Sequence, residues 1–214
     1  GLGDVYKRQM NTTPESYILQ EYFAKMVEQG CRYMVMEVSS QSYLMHRVDG
    51  IFFDYSIFLN ISNDHIGPNE HASFEEYRAW KGQLFRRCDV GVVNWDDKNC
   101  NTLLAGHTCR LVTYGMHDGV EFQGTDMRLE RSEHFLGISY RVTGTETMDV
   151  KVNMPGEFTV YNSLAAIAVG RVLGLERNAI LRGLERLTVK GRVEIVPVSK
   201  KFTVLIDFAH NESG

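Results

Sequence analysis

The chain has 214 residues, 43% of them hydrophobic and 23% charged, with a formal net charge of −4. That length holds one substantial core, or one domain and part of a second, and the mildly acidic balance argues against nucleic acid or an anionic membrane surface as partner. No apolar run approaches the roughly 18 residues that span a bilayer, the start lacks the apolar middle of a secretory signal, and the four cysteines show no CxxC or framework spacing, as expected of thiols in a reducing cytosol.

Residues 1–10 match no element and read as a leader outside the fold. Asn11-Thr12-Thr13-Pro14 opens a helix, with Thr13 as N-cap, Pro14 in the first helical position, and Gly30 ending it after Glu28. Its hydroxyl-bearing N-terminus serves either capping alone or the binding of an anion. Tyr33–Val38 is almost continuously apolar, the pattern of a parallel strand covered on both faces. Glu37 interrupts it near the carboxyl end, and Ser39 and Ser40 follow. A carboxylate there must be paired, hydrogen-bonded or metal-bound. Ligands of open α/β sheets sit at the carboxyl ends of strands, so Glu37 is a candidate functional residue, the alternative being a pairing with a structural arginine. Arg47 closes the polar segment Gln41–Arg47 and suits a carboxylate or phosphate, or equally a surface position.

Tyr55–Asn60 reads as a second buried strand, followed by a polar loop carrying Asp64 and His65. If the two strands are neighbours, Glu37 and His65 share one rim of the sheet. His65 is then either a ligand or a structural histidine. The helix expected over Ser73–Arg86 carries an apolar stripe of Phe74, Tyr77, Leu84 and Phe85, and Lys81 falls on that stripe. A lysine so placed either snorkels to water or is held for chemistry. A strand at Val90–Asn94, a helix from Asp96 to Leu104 and a strand at Arg110–Tyr114 follow, the order of a doubly wound α/β domain. From Gly119 to Met154 the pattern changes to polar alternation in four short strands (VEFQG, MRLERS, HFLGISYRV and TMDVKVNM), read as antiparallel hairpins appended to the parallel sheet. A helix over Val160–Val172 with Asn162 in its first turn, a helix over Glu176–Leu187, and paired strands Val193–Val198 and Phe202–Phe208 complete the chain.

The segments NTTPES, MEVSSQSYLMHRVDG, NISNDH, FEEYRAWKGQLF, PGEFTVYNSLAA, GRVE and DFAHNESG, in that order, resemble the Mur ligase family over Asn11–Gly214. NTTP with EVSS and HRVDG points to the branch that adds an amino acid to a UDP-N-acetylmuramoyl-dipeptide. The resemblance implies an α/β fold: the family's central ATP-binding domain over residues 11–205, with a mostly parallel doubly wound sheet and an appended antiparallel region, and residues 206–214 as the start of a linker to a C-terminal domain. It implies ATP-dependent amide-bond formation through an acyl phosphate in peptidoglycan synthesis, with Mg2+, by a cytoplasmic enzyme that is monomeric at full length.

Residue by residue, Glu37 and His65 resemble the protein ligands of magnesium. Lys81 matches the family's carbamylated lysine, whose formation needs a neutral amine, a state that burial favours. Asn11, Thr12, Thr13, Ser39 and Arg47 match residues that hold the UDP-muramoyl substrate. Asn162, Arg192 and Asp207 resemble nucleotide contacts on the base, phosphate and ribose sides. His210 lies in the matching DxAH motif without an assigned role. Departures are Met45 where a glutamine is common, the longer loop DHIGPNEH, and Thr159 in place of an asparagine. No GxxxxGK[ST] loop occurs. The chain is therefore read as a fragment without the phosphate cradle or the domain that selects the amino acid, inactive as a ligase by itself. The alternatives are a folylpolyglutamate- or cyanophycin-type ligase of the same superfamily, and a non-catalytic nucleotide-binding module.

Overall fold

The structure is a computed structural model and describes residues 11–63, 66–68, 70–132, 135–189, 191, 193–196 and 204–207. The expected leader over residues 1–10, and His65, Arg192 and His210, lie outside the described residues. The chain divides into two compact units. The first comprises Gly1–Ser56, Asn63–Asp89 and Asn101–Cys109, and the second Ile57–Ser62, Val90–Cys100 and Arg110–Gly214.

In the first unit, helix α1 (Ser16–Glu28) and the short helix α2 (Ser40–Leu44) build a core in which Leu19, Tyr43 and Val48 are buried, with Phe23, Met36, Val38, Trp80 and Leu84 packed around them. Gly30 ends α1 as expected: its φ of +70° is the left-handed conformation that glycine supplies, and Cys31 N–H reaches back to Met26 O at 2.9 Å. The start of α1 differs from the expectation. Glu15, not Thr13, occupies the N-cap position, and it makes no side-chain cap. The Thr13 hydroxyl donates to Glu37 O and accepts from Ser39 N–H, both at 3.0 Å, so it ties two distant stretches together and is not available to the helix.

Residues 31–39 form no assigned strand, which corrects the reading of Tyr33–Val38. A continuously apolar strand needs cover on both faces. Here Met36 and Val38 pack on the core, but Tyr33 and Val35 remain 60% and 81% exposed. The expected helix at Ser73–Arg86 is α3 (Phe74–Gly82) followed by a 3-10 turn, Gln83–Arg86. Ser73 caps it by accepting from Glu76 N–H at 3.2 Å, and Glu75 and Glu76 complement the positive end of the helix. The tightening follows Gly82, where the backbone of Leu103 approaches so closely that a Cβ would stand 2.4 Å from its carbonyl oxygen.

A six-stranded sheet runs in the order β1 (Phe53–Phe58), β2 (Cys88–Asn94), β3 (Arg110–Gly115), β4 (Phe122–Arg131), β5 (Leu136–Gly144) and β6 (Met148–Val152). Pairs β2–β3 and β3–β4 are parallel, and β4–β5 and β5–β6 are antiparallel. This is the mixed α/β sheet with an appended antiparallel region that the hydrophobic periodicities indicate. The second unit's core lies under helix α5 (Glu157–Val172): Val160, Leu164, Ile167 and Ala168 are buried with Val92, Tyr114, Val142 and Val150 of the strands. Helix α6 (Arg177–Glu185) adds Leu184, and β7 (Glu194–Val196) pairs antiparallel with β8 (Val204–Ile206).

Three further boundaries differ from the sequence reading. VEFQG and MRLERS belong to one strand, β4, with a bulge between Thr125 and Arg128 where Asp126 takes φ +56°. The helix expected from Asp96 is only α4 (Cys100–Leu103), because both aspartates turn their side chains onto backbone amides: Asp97 accepts from Ile61 and Asn99 N–H, and Asp96 from Met116 N–H. Helix α5 begins at Glu157, directly after Gly156 at φ +102°, so Asn162 stands in its second turn. Among the described residues no helix is long and apolar enough to cross a membrane.

Candidate functional site

The residues assigned to the substrate gather in the first unit. Glu15 sits at their centre. Its Oε1 accepts from Asn11 Nδ2 at 3.2 Å and forms an ion pair with Arg47 Nε at 3.0 Å. Arg47 also donates weakly to Thr13 O, at 3.5 Å, and its side chain is only 11% exposed. Thr13 is completely buried and contacts Ser39 through both its hydroxyl and the Ser39 amide. Ser39 in turn caps α2 by accepting from Ser42 N–H at 3.2 Å. Asn11, Thr13, Ser39 and Arg47 therefore belong to one connected polar node, while Thr12 is exposed beside it. Two of its hydroxyls, those of Thr13 and Ser39, already have backbone partners.

Glu37 enters this node through its backbone carbonyl only, and its side chain is exposed. Lys81 lies on the last turn of α3, partly buried, with Nζ 5.5 Å from the centre of the Tyr77 ring. That is the geometry of a cation–π contact. Tyr77 also meets His71, the ring centres lying 5.3 Å apart. The His71 side chain is fully buried, and its Nε2 is 2.7 Å from Ser40 Oγ. Among the described residues, no group of three or more His, Cys, Asp or Glu side chains is arranged to hold a metal. The donor set expected for magnesium includes His65, which lies outside them, and a carbamate on Lys81.

The residues assigned to the nucleotide lie in the second unit. Asn162 is exposed on α5, between two anchored neighbours. Tyr161 OH donates to Asp96 Oδ2 at 3.1 Å, and Ser163 Oγ is 2.8 Å from Tyr140 OH. Successive helical residues are about 100° apart, so Asn162 projects between the two anchors, opposite the fully buried Val160. Asp207 is exposed just after β8. Burial pushes the Tyr161 phenol up to about 12, with the Asp96 carboxylate adding to the effect.

Sequence reading missed Asp96, Tyr161 and His71. Asp96 follows strand β2 at its carboxyl end, so the rule that singled out Glu37 also applies to it. Its side chain is 6% exposed and gathers the Met116 amide at 2.6 Å, the Tyr161 hydroxyl, and His117 Nδ1 at 3.0 Å. Gly115 makes room for it, since a Cβ there would stand 2.6 Å from the carboxylate. His71 carries no signal of its own in the sequence beyond its place just ahead of the helix cap Ser73.

The chain is 38% identical over 215 residues to a UDP-N-acetylmuramoyl-L-alanyl-D-glutamate–2,6-diaminopimelate ligase of Caldanaerobacter subterraneus, a match covering 100% of this chain and 43% of the relative. It is 36% identical over 200 residues to a second ligase of that name from Clostridium acetobutylicum, covering 93% of this chain and 40% of the relative. The chain thus spans about two fifths of the length of the curated relatives it matches. A solved structure of a UDP-N-acetylmuramoyl-L-alanyl-D-glutamate–2,6-diaminopimelate ligase superposes with a TM-score of 0.75 at 20% identity, over 86% of this chain and 39% of that one. A folylpolyglutamate synthase of Mycobacterium tuberculosis gives 0.58 at 21% identity, over 74% of this chain and 36% of that one, which shows that the fold is shared. Residues 2–170 match the Mur ligase middle domain, and the chain belongs to that family.

Proposed function

We propose that this chain is the central part of an ATP-dependent ligase that adds an amino acid to UDP-N-acetylmuramoyl-L-alanyl-D-glutamate in peptidoglycan synthesis, in the cytoplasm. The observation that carries this reading is the convergence of Asn11, Thr13, Ser39 and Arg47, four residues assigned to one substrate, on a single polar node. A partly buried guanidinium and an exposed amide beside it suit a carboxylate or phosphate oxygen. In the reaction, the substrate carboxylate attacks the γ-phosphorus of ATP and ADP leaves. The incoming amine then attacks the acyl phosphate, and inorganic phosphate leaves as the amide forms. Asn162, Arg192 and Asp207 hold the nucleotide in this reading.

Glu37, His65 and Lys81 as its carbamate would hold magnesium, whose charge offsets the repulsion between phosphate and carboxylate. The carbamate forms when the neutral Lys81 amine attacks carbon dioxide. A C–N bond forms, one C=O electron pair moves onto oxygen, and the amine proton passes to solvent. Lys81 thereby changes from a cation to an oxygen-donor anion, the ligand type a hard cation takes.

Calorimetric titration of the 214-residue chain with UDP-N-acetylmuramoyl-L-alanyl-D-glutamate tests the substrate assignment. Binding that Arg47→Ala weakens at least tenfold supports it, and binding indifferent to Arg47→Ala refutes it. Steady-state phosphate release after addition of ATP, Mg2+ and diaminopimelate tests whether these residues turn over.

A further inference from the structure

We propose that His71 is a positioning residue for Lys81, acting as a buried strut between the 37–40 segment and helix α3. This rests on the reading of Lys81 as the carbamylated lysine. The strut lies wholly in the first unit and can be followed contact by contact. Thr13 fastens Glu37 O and Ser39 N–H to the start of α1. Ser40, the first residue of α2, is 5% exposed and meets His71 Nε2 at 2.7 Å. The His71 ring packs at 5.3 Å and a 31° tilt on Tyr77, which is itself 5% exposed. One turn further along α3, Lys81 Nζ lies over that same Tyr77 ring.

His71 thus connects the stretch that carries Glu37 and Ser39 to the ring against which Lys81 rests. A fully buried imidazole with a short polar contact is an expensive way to fill space that a leucine would fill. What it adds is direction. A hydrogen bond fixes the ring plane, and the ring plane fixes Tyr77 and with it the track along which the Lys81 side chain moves. The Tyr77 face attracts an ammonium and repels an anion. A carbamate on Lys81 must therefore leave that face, and the orientation of Tyr77 decides where it goes.

The test reads the carbamate directly, by 13C NMR of the 214-residue chain in 13C-bicarbonate with Mg2+, titrating bicarbonate and comparing wild type with His71→Phe, Ser40→Ala and His71→Gln. His71→Phe keeps the ring on Tyr77 and removes the polar contact. Ser40→Ala removes the same contact from the other end with minimal change in volume. His71→Gln places an amide nitrogen near the position of Nε2. The expected result is a Lys81 carbamate signal, lost in Lys81→Ala, whose half-saturating bicarbonate concentration rises about three- to tenfold in His71→Phe and Ser40→Ala, the span of one lost hydrogen bond. His71→Gln recovers most of the wild-type affinity, and the double variant is no worse than either single one. Wild-type bicarbonate affinity in Ser40→Ala, with the fold intact by circular dichroism, overturns the strut even where His71→Phe fails to fold. Absence of any Lys81-dependent signal in wild type overturns the carbamate reading itself, and the strut with it.

Discussion

Replacing Asp96 tests whether one carboxylate organises the rim of the second unit. Asp96→Ala leaves two well-directed donors without an acceptor, the Met116 amide at 2.6 Å and the Tyr161 hydroxyl at 3.1 Å. Hydrogen bonds to a charged group contribute about 1.5–3 kcal/mol each, so the loss of two is about 3–6 kcal/mol. His117 adds little to this, because its ring is 82% exposed and its ion pair with Asp96 is screened by water. Tyr161→Phe removes only one of the two bonds and costs about 1.5 kcal/mol. Trp95 adjoins Asp96 and is one of two tryptophans, so a Trp80→Phe background makes its emission a reporter of this unit. With a urea slope of about 2 kcal/mol/M, the midpoint falls by about 2 M in Asp96→Ala and by about 0.7 M in Tyr161→Phe. In the Asp96→Ala background, Tyr161→Phe adds nothing further, since the shared bond is already gone. A midpoint for Asp96→Ala within about 0.3 M of the parent, or equal losses in the two single variants, refutes the assignment. If Asn162 contacts the nucleotide, Tyr161→Phe also weakens nucleotide binding, because one of the two anchors flanking it is lost.

Iodoacetamide at pH 8 is expected to modify Cys31, which is exposed, while sparing Cys88 and Cys100, whose thiols burial pushes up to about 12; peptide mass mapping that finds Cys100 modified as fast as Cys31 contradicts this. The same thiols fix the sign of an alkaline transition. Their folded values lie above the ordinary 9.0, so the stability they contribute is intact below about 9 and is lost as pH rises toward 12, with Tyr43 and Tyr161 adding to the loss above 10.0. A urea midpoint unchanged between pH 8.5 and 11 would falsify that account. Thr13→Val keeps the shape of a buried side chain but leaves Glu37 O and Ser39 N–H without their partner, at a cost of about 2 kcal/mol by thermal unfolding. Thr13→Ser keeps both bonds and stays near wild type; equal stability of Thr13→Val and wild type refutes the structural role.

The parts of the fold that could be read in the sequence are those set by local pattern. Alternation in β5 and β6, the Ala-rich apolar helix α5, the Ser73 cap and the Gly30 stop each follow from a few adjacent residues. The parts that could not be read depend on distant partners. The apolar run Tyr33–Val38 meets cover on one face only, and no count of its own residues reveals that. Asp96 and Asp97 have the composition of a helix start, yet their carboxylates bind amides from other segments. The Thr13 hydroxyl has the chemistry of a cap and is bound instead to residues 37–39. Short polar side chains are the least legible, because one oxygen satisfies a local or a remote amide equally well. Of the candidate site, four of the residues assigned to the substrate, Asn11, Thr13, Ser39 and Arg47, gather in one polar node, whereas His71 and Tyr161, which meet Ser40 and Asp96, surface only once the chain is folded.

Glu15 gives the substrate node its physical logic. One of its oxygens engages both Asn11 and Arg47, two of the residues assigned to an anionic substrate. Arg47 is 11% exposed and Glu15 is 60% exposed. A guanidinium so far withdrawn from water needs an anion beside it at all times, whereas a carboxylate on the surface is well hydrated with or without its partner. The pair is therefore asymmetric: releasing Glu15 costs about 0–1 kcal/mol, the range of an exposed ion pair, while leaving Arg47 without an anion costs several times more. If the proposed substrate binds at Arg47, its anion exchanges with Glu15 and does not add to it. It meets a guanidinium already desolvated and already aimed by Thr13 O, so little ordering remains to be done on binding. On this reasoning the charge balance at Arg47 matters more than the number of contacts, and Glu15 is the anion that satisfies the guanidinium in this structure.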